Sequence, residues 1–376
     1  MADLMTDPSP DAESGTTFSR ASASYECQDD RYLLPERTFL PDIQYAPIYF
    51  ARMIKMQPML LQKVQKAWPG IKKAKILELV EGEEVAVIGT VYKEMKMKPS
   101  ILDEYTKDRG DHFLVNAVLD AGLGPQRPLP APGAEGDAKY LAFVSGLGVG
   151  DESANPQRLA LVVDYLTGML GDSREHEKLS RVVRCIVAGG LLRSTEALAQ
   201  PTTHTHPRKQ ADVMAPIREM DVLLSQLAAA MPVDVMPGAS DPANHSLPQQ
   251  RLHHCLFPGA CSFTSFHRVT NPHSFKVDGV HVLGTAGQNV DDVFKYSTVE
   301  ERLQILERIL HWGHLIPTAP DTLAAHPFPS DDPFIVDRAP HVLFAGCQPE
   351  FASRCIKGPD GQQLLTSLPS DHSLRQ

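Results

Sequence analysis

The chain has 376 residues, 42% of them hydrophobic, and a formal net charge of -10 with a pI near 5.8. That is enough apolar material for one or two buried cores, and no stretch approaches the ~20 apolar residues of a membrane helix. The acidic balance argues against a protein that grips nucleic acid through a broad basic face of its own; a basic protein partner suits it better.

Residues 1–34 are dominated by Ser, Thr, Asp and Pro without a hydrophobic period, which predicts a disordered N-terminus. The start, MADLMTDPSPDAESG, lacks the basic residues and apolar run of a secretory signal. Residues 35–79 read as a helical segment. Tyr49, Met53 and Met56 share one face, and Pro58 suits the first turn of a second helix carrying Leu61 and Val64. Lys72, Lys73 and Lys75 read as a solvated basic surface. A strand is expected over 84–95 and another over 113–118. Residues 122–137, GLGPQRPLPAPGAEGD, form the clearest linker in the chain.

Beyond the linker, strands and helices alternate, which predicts stacked α/β layers. Tyr140 to Ser145 is a short strand ending in SGLGVG, and Asn155 caps a following helix with Pro156 at its first position. The apolar stripe of that helix is Leu159, Val163, Leu166 and Leu170. Val182 to Ala188 is a strand of the type buried on both faces. A second helix carries Val213, Ile217, Met220, Leu224, Leu227 and Met231, and Val233 to Met236 is the third strand.

The last third reads as antiparallel. Asp278-Gly279 marks a hairpin between Phe275 and Leu283. Thr298 and Glu301 form a capping box that opens a helix over 298–314, buried through Val299, Leu303, Leu306 and Leu310. Val342 to Phe344 is expected as the final strand.

Six cysteines are scattered without a C-x-x-C pair and read as reduced thiols. Of the 15 histidines, the pairs His204/His206 and His253/His254 lack the i, i+4 spacing of a zinc helix and read as surface or satisfied core side chains.

Eight blocks in order carry a resemblance: QYAPIYFARMIKMQP, VSGLGVG, VDVMPGASDPANHSLPQQ, HRVTNP, DGVHVLGTAGQN, PTAPDTL, DPFI and PHVLFAGCQPEF. Together they resemble the second, small regulatory (B) subunits of DNA polymerase delta, over most of 36–103 and 111–360, in a shortened form. The resemblance implies an α/β fold: an inactive calcineurin-like phosphoesterase domain, two sheets flanked by helices, over 138–360. Before it would come a truncated OB-fold remnant over 80–121, and after it a divergent tail over 361–376. It implies a scaffold between the catalytic subunit's C-terminal metal-binding module and the third subunit. DNA is then met indirectly through the complex, in the nucleus, during replication and repair synthesis. No cofactor and no membrane contact are implied.

In calcineurin-like active sites, which the resemblance brings in, the metal ligands follow successive strands as D-x-H, G-D-x-x-D, G-N-H-D/E, a single His and G-H-x-H. Here the first, second, third and fifth of these loops read Val144-Ser145-Gly146-Leu147, Ala188-Gly189-Gly190-Leu191-Leu192, Pro237-Gly238-Ala239-Ser240-Asp241-Pro242 and Gly346-Cys347-Gln348-Pro349. Hard divalent metals need O and N donors, and Asp241 is the one acidic ligand left. The expectation is therefore a non-enzyme with no catalytic and no metal residues.

SGLGVG fits neither a nucleophile elbow nor a phosphate-binding loop, and Asp151 and Glu152 beside it would repel a phosphate. The alternatives are a divergent metallophosphoesterase or nuclease, and the second subunit of polymerase alpha or epsilon. A third is a single-strand-binding module built on Tyr92, Lys93, Lys96 and Lys98. The GTAGQN and PTAPDTL blocks favour delta. Partner-contact candidates are Gly287, Gln288, Asn289, Asp292, Pro320 and Asp321, turn or polar residues in the most family-like blocks.

Overall fold

A computed structural model describes residues 18–34, 44–90, 138–151, 154–193, 207–358 and 361–369. The strand expected over 113–118, the linker at 122–137, and Tyr92, Lys93, Lys96 and Lys98 lie outside the described residues.

Two sheets face each other. In the four-stranded sheet, β4 (Tyr140–Val144), β5 (Val182–Ala188), β6 (Val233–Met236) and β7 (Phe266–Arg268) run parallel in sequence order. Parallel strands need crossovers: helices α2 (Pro156–Thr167) and α3 (Ser173–Ser180) lie in the first, α4 (Pro207–Ala230) in the second, and β6 joins β7 through a loop with two short turns. Asn155 caps α2 as expected, its side chain accepting from the Gln157 amide at 3.0 Å. Leu159, Val163 and Leu166 are buried, but Leu170 lies beyond the helix and is exposed. The short helix α3, opened by an Asp172–Glu175 capping box, has no counterpart among the expected elements.

The second sheet has six strands in the order β1-β8-β9-β10-β12-β11. Strands β8 (His273–Val277) and β9 (Val280–Thr285) form the expected hairpin. Asp278 and Gly279 both take positive φ, 46° and 82°, as its tight turn requires. The sheet is mixed, not antiparallel: β10 (Val342–Gln348) runs parallel to both β9 and β12 (Gly361–Pro369). Nor is β10 the final strand, because β11 (Ala352–Gly358) turns back antiparallel onto β12. Part of the expected divergent tail is thus an internal strand of this sheet.

The two inner faces share one cluster and each outer face buries its own. Ile186, Ala188 and Met236 meet Phe275, Val282 and Phe344 between the sheets. Helices α2 and α4 cover the outer face of the parallel sheet over Cys185, Val187, Val233 and Val235. Helices α5 (Gln288–Tyr296) and α6 (Arg302–Trp312) cover Leu283, Leu343 and Ala345 of the other. The result is a helix–sheet–sheet–helix sandwich.

Three local expectations change. Residues 18–34 are ordered: β1 (Tyr25–Cys27) adds to the edge of β8, and Tyr32 and Asp29 are buried. A long-range hydrogen bond, His273 Nδ1 to Asp29 Oδ2 at 2.8 Å, ties this segment to β8, and composition does not reveal it. Helix α1 (Ala46–Ala67) runs unbroken through Pro58. Proline removes one helical bond, and the carbonyl of Ile54 that loses it sits on an exposed turn open to water. The Thr298–Glu301 capping box does not form; α6 begins at Arg302, with Glu301 at its N-cap and no side-chain cap.

Helix α1 reaches the sandwich through polar side chains. Arg52 Nε donates to Asp332 Oδ2 at 2.7 Å and Arg52 Nη1 to the Ala319 carbonyl at 2.9 Å. Tyr49 donates to Asp321 at 2.6 Å, and Lys55 pairs with Asp331. Of the strand expected over 84–95, only β3 (Val85–Ala86) is seen among the described residues, paired with β2 (Lys72–Lys73).

Candidate functional site

Ligands of α/β sheets bind outside the carboxyl ends of the strands. Here the loops after β4, β5 and β6 and the end of β10 converge at that position, and they bond to one another. The Gly146 amide donates to the Gly189 carbonyl at 3.0 Å, and the Gly148 amide to Gly190 at 2.9 Å. The Cys347 amide donates to Ser145 Oγ at 3.0 Å.

Asp241 ties two of these loops together, its own after β6 and the one after β5. Its Oδ2 accepts from the amides of Gly190 and Gly238 at 2.9 and 2.8 Å, and its Oδ1 from Leu192 at 3.0 Å. Burial pushes the Asp241 carboxyl up to about 6, against the pull of its amide donors. Cys347, at φ 51°, sits beside it. Burial pushes that thiol up to about 12, so it is a neutral thiol and not a nucleophile.

The glycines make this contact possible. A Cβ on Gly190 would lie 2.8 Å from both Cys347 Sγ and the Gly146 Cα, and one on Gly189 2.8 Å from the Gly238 Cα. Two metal ions with oxygen ligands at ~2.0–2.6 Å do not fit between loops packed this closely. The donor set agrees: the one carboxylate at these loop ends already accepts three amide bonds.

A neutral amide network borders the cluster. Gln249 Oε1 accepts from Asn271 at 2.8 Å and from Gln288 at 2.9 Å. Asn271 also donates to Gln288 Oε1 at 3.0 Å, and Gln249 Nε2 donates to the Gly238 carbonyl at 3.0 Å. Gln249 and Asn271 carry no sequence signal of their own, although the blocks SLPQQ and HRVTNP contain them. Amides offer hydrogen bonds without charge, so this network fixes loops and carries no acid–base step.

The six partner-contact candidates fall into two groups. Gly287 is buried at the N-cap of α5 with φ 100°, and a Cβ there would overlap the Gly346 carbonyl oxygen. Asn289 is buried with both amide atoms used, accepting from Thr285 at 2.7 Å and donating to the Leu315 carbonyl at 2.8 Å. Gln288 is half-buried in the amide network. The other three reach the surface. Asp292 is half-buried and accepts from the hydroxyls of Thr318 and Thr322, and burial raises its carboxyl above the usual range. Pro320 is half-buried after a cis bond, and Asp321 is exposed beside Tyr49.

Two family descriptions match the chain. Residues 141–353 match the DNA polymerase alpha/epsilon family of second (B) subunits. Residues 44–119 match the DNA polymerase delta subunit OB-fold domain. The chain is 37% identical to the DNA polymerase delta small subunit of Oryza sativa subsp. japonica, over 94% of this chain and 93% of that one. It is 36% identical to the DNA polymerase delta small subunit of Arabidopsis thaliana, over 95% and 92%. It is 32% identical to DNA polymerase delta subunit 2 of Drosophila melanogaster, over 87% and 88%. The first alignment spans 405 positions, more than the 376 residues of this chain, so that relative carries residues missing here.

Proposed function

The chain belongs to the family of DNA polymerase delta small subunits, accessory and not catalytic in that polymerase, and on this premise we propose that it is a scaffold between two other subunits. One is the catalytic subunit, held through its C-terminal metal-binding module; the other is the third subunit. DNA is met through the assembled complex, in the nucleus. The sandwich, whose expected bounds 138–360 are extended by β1 and β12, is read as a calcineurin-like phosphoesterase domain whose metal centre has been replaced by loop-to-loop bonding. Residues 80–121 are read as a shortened OB barrel, with the helical segment 35–79 before it and the linker 122–137 after it.

The observation that carries this reading is the Asp241 carboxylate, which holds loops where the fold would otherwise hold metals. A site closed in this way leaves the outer surface as the working part. The corner formed by Asp292, Pro320 and Asp321 is the proposed contact, with Gly287, Gln288 and Asn289 fixing its shape from below.

The test is binding of the full chain to the isolated C-terminal module of the catalytic subunit. Reversing the exposed charge by Asp321→Lys is expected to weaken binding at least tenfold. Tyr49→Phe removes only the internal partner of Asp321 and is expected to leave affinity unchanged. Equal affinity of Asp321→Lys and the wild type removes this corner from the interface. Failure of the wild-type chain to bind at any concentration overturns the scaffold reading.

A further inference from the structure

Between the Asp241 loop and β7, the chain makes two short turns. The first, His254–Leu256, is held down by Leu252 and Phe257 on either side, both fully buried. Arg268 Nη1 fixes its base through the Leu252 carbonyl at 2.8 Å. The second, Ala260–Ser262, is fixed against α4 by Asp221, whose carboxylate accepts from the Gly259 and Ala260 amides at 2.9 Å each. With its ends anchored, the stretch His253–Cys255 turns three exposed donors outward.

Those donors converge. One ligand atom from each of His253, His254 and Cys255 lies within 4.8 Å of the other two. Cys255 Sγ is 3.4 Å from His254 Nε2, and the two imidazole centroids are 4.4 Å apart. A tetrahedral zinc ion, with bonds of roughly 2.3 Å to sulfur and 2.0–2.1 Å to nitrogen, sets its N and S ligands about 3.5 Å apart. The Sγ–Nε2 contact already has that span. A metal there replaces the thiol proton, and the single long bond that binds His253 Nδ1 to the Cys255 amide, 3.3 Å, is weak enough to be given up.

We propose that His253, His254 and Cys255 form a surface site for a borderline-soft divalent cation of the zinc class, with three protein ligands and an open fourth position. Two imidazoles and a thiolate suit zinc and disfavour magnesium or calcium, which take oxygen. The residues are neighbours in sequence and show no helical spacing, so the site is visible only once the turn folds them together. The other grouping of metal-type side chains among the described residues, Cys27 with Asp29 and His273, is already committed. There Asp29 accepts from the Ser274 amide at 2.8 Å and pairs with His273 in the core.

Cobalt(II) added to the metal-free full chain provides the readout. The expected result is one equivalent bound, with a thiolate-to-cobalt charge-transfer band and tetrahedral d–d bands, all displaced by zinc. Cys255→Ser is expected to abolish the charge-transfer band, and His254→Ala to weaken binding at least tenfold. Cys355→Ser, on β11, is expected to change neither. All three ligands are exposed, so circular dichroism should show the variants folded like the wild type. A spectrum of six-coordinate aqueous cobalt, or a charge-transfer band that survives Cys255→Ser, overturns the proposal.

Discussion

Two regions of this molecule treat their polar groups in opposite ways. At the loop cluster around Asp241, amides, carboxylate and side-chain amides all turn inward and bond to one another. Along residues 44–90, polar groups bridge outward to the sandwich while apolar ones face solvent. Only Ile48 and Ala74 are buried there, and Trp68, Ile76, Leu77, Leu79 and Val80 are exposed. A closed cluster exchanges nothing with a substrate; an open apolar surface is what another chain can cover. The difference teaches that the strand ends commit their polar groups to internal bonding, whereas 44–90 leaves apolar surface uncovered.

The joint between the two regions can be broken first. Asp332 is fully buried, taking Arg52 of α1 on one side and His314 Nε2 at 2.9 Å on the other. Burial works against its charge, but His314 and Arg52 overcome it and hold its carboxyl well below the usual carboxylate range. Asp332→Ala strands both partners and is expected to cost about 3–5 kcal/mol in urea unfolding. Because the folded pKa is depressed, this contribution is full above the unfolded value of about 4 and fades as pH falls through the folded one.

The loop cluster answers next. Asp241→Ala leaves three buried amides without an acceptor and is expected to cost about 3 kcal/mol. Here the pH dependence has the opposite sign. The folded carboxyl titrates near 6, above its unfolded value of about 4, so the wild type loses stability as pH rises through that interval. The gap between wild type and variant should therefore be wider at pH 4 than at pH 7 in denaturant melts.

The smallest effect sharpens the contrast. Tyr49→Phe removes one hydrogen bond between α1 and the sandwich and is expected to cost about 1 kcal/mol. Amide exchange should quicken along 46–67 and stay unchanged in β5. Equal quickening in β5 would mean that the two regions unfold as one unit.

What the sequence makes legible follows from range of interaction. Strands β4, β5 and β6, the Asp278-Gly279 hairpin and the Asn155 cap are written in short runs, because burial on both faces or a tight turn dictates residue types locally. Strand β1 is invisible there, because it is three residues long and depends on Asp29 meeting His273 at a separation of 244 positions. Helix α5 escapes notice for a different reason. It opens on Gly287 with no side-chain cap and buries only Asn289, Val290 and Val293. At the site, the presence of one carboxylate and no histidine in the four loops can be read directly from the sequence. The new role of Asp241 cannot, since its partners Gly190 and Leu192 come from another strand's loop.

The central claim is that the loop ends hold one another and no catalytic metals. Hydrolysis of a generic phosphodiester by the purified chain, with magnesium, manganese or zinc added, tests it most directly. The account predicts no turnover above buffer with any of the three. Metal-dependent turnover that co-elutes with the chain and disappears in Asp241→Ala would contradict it.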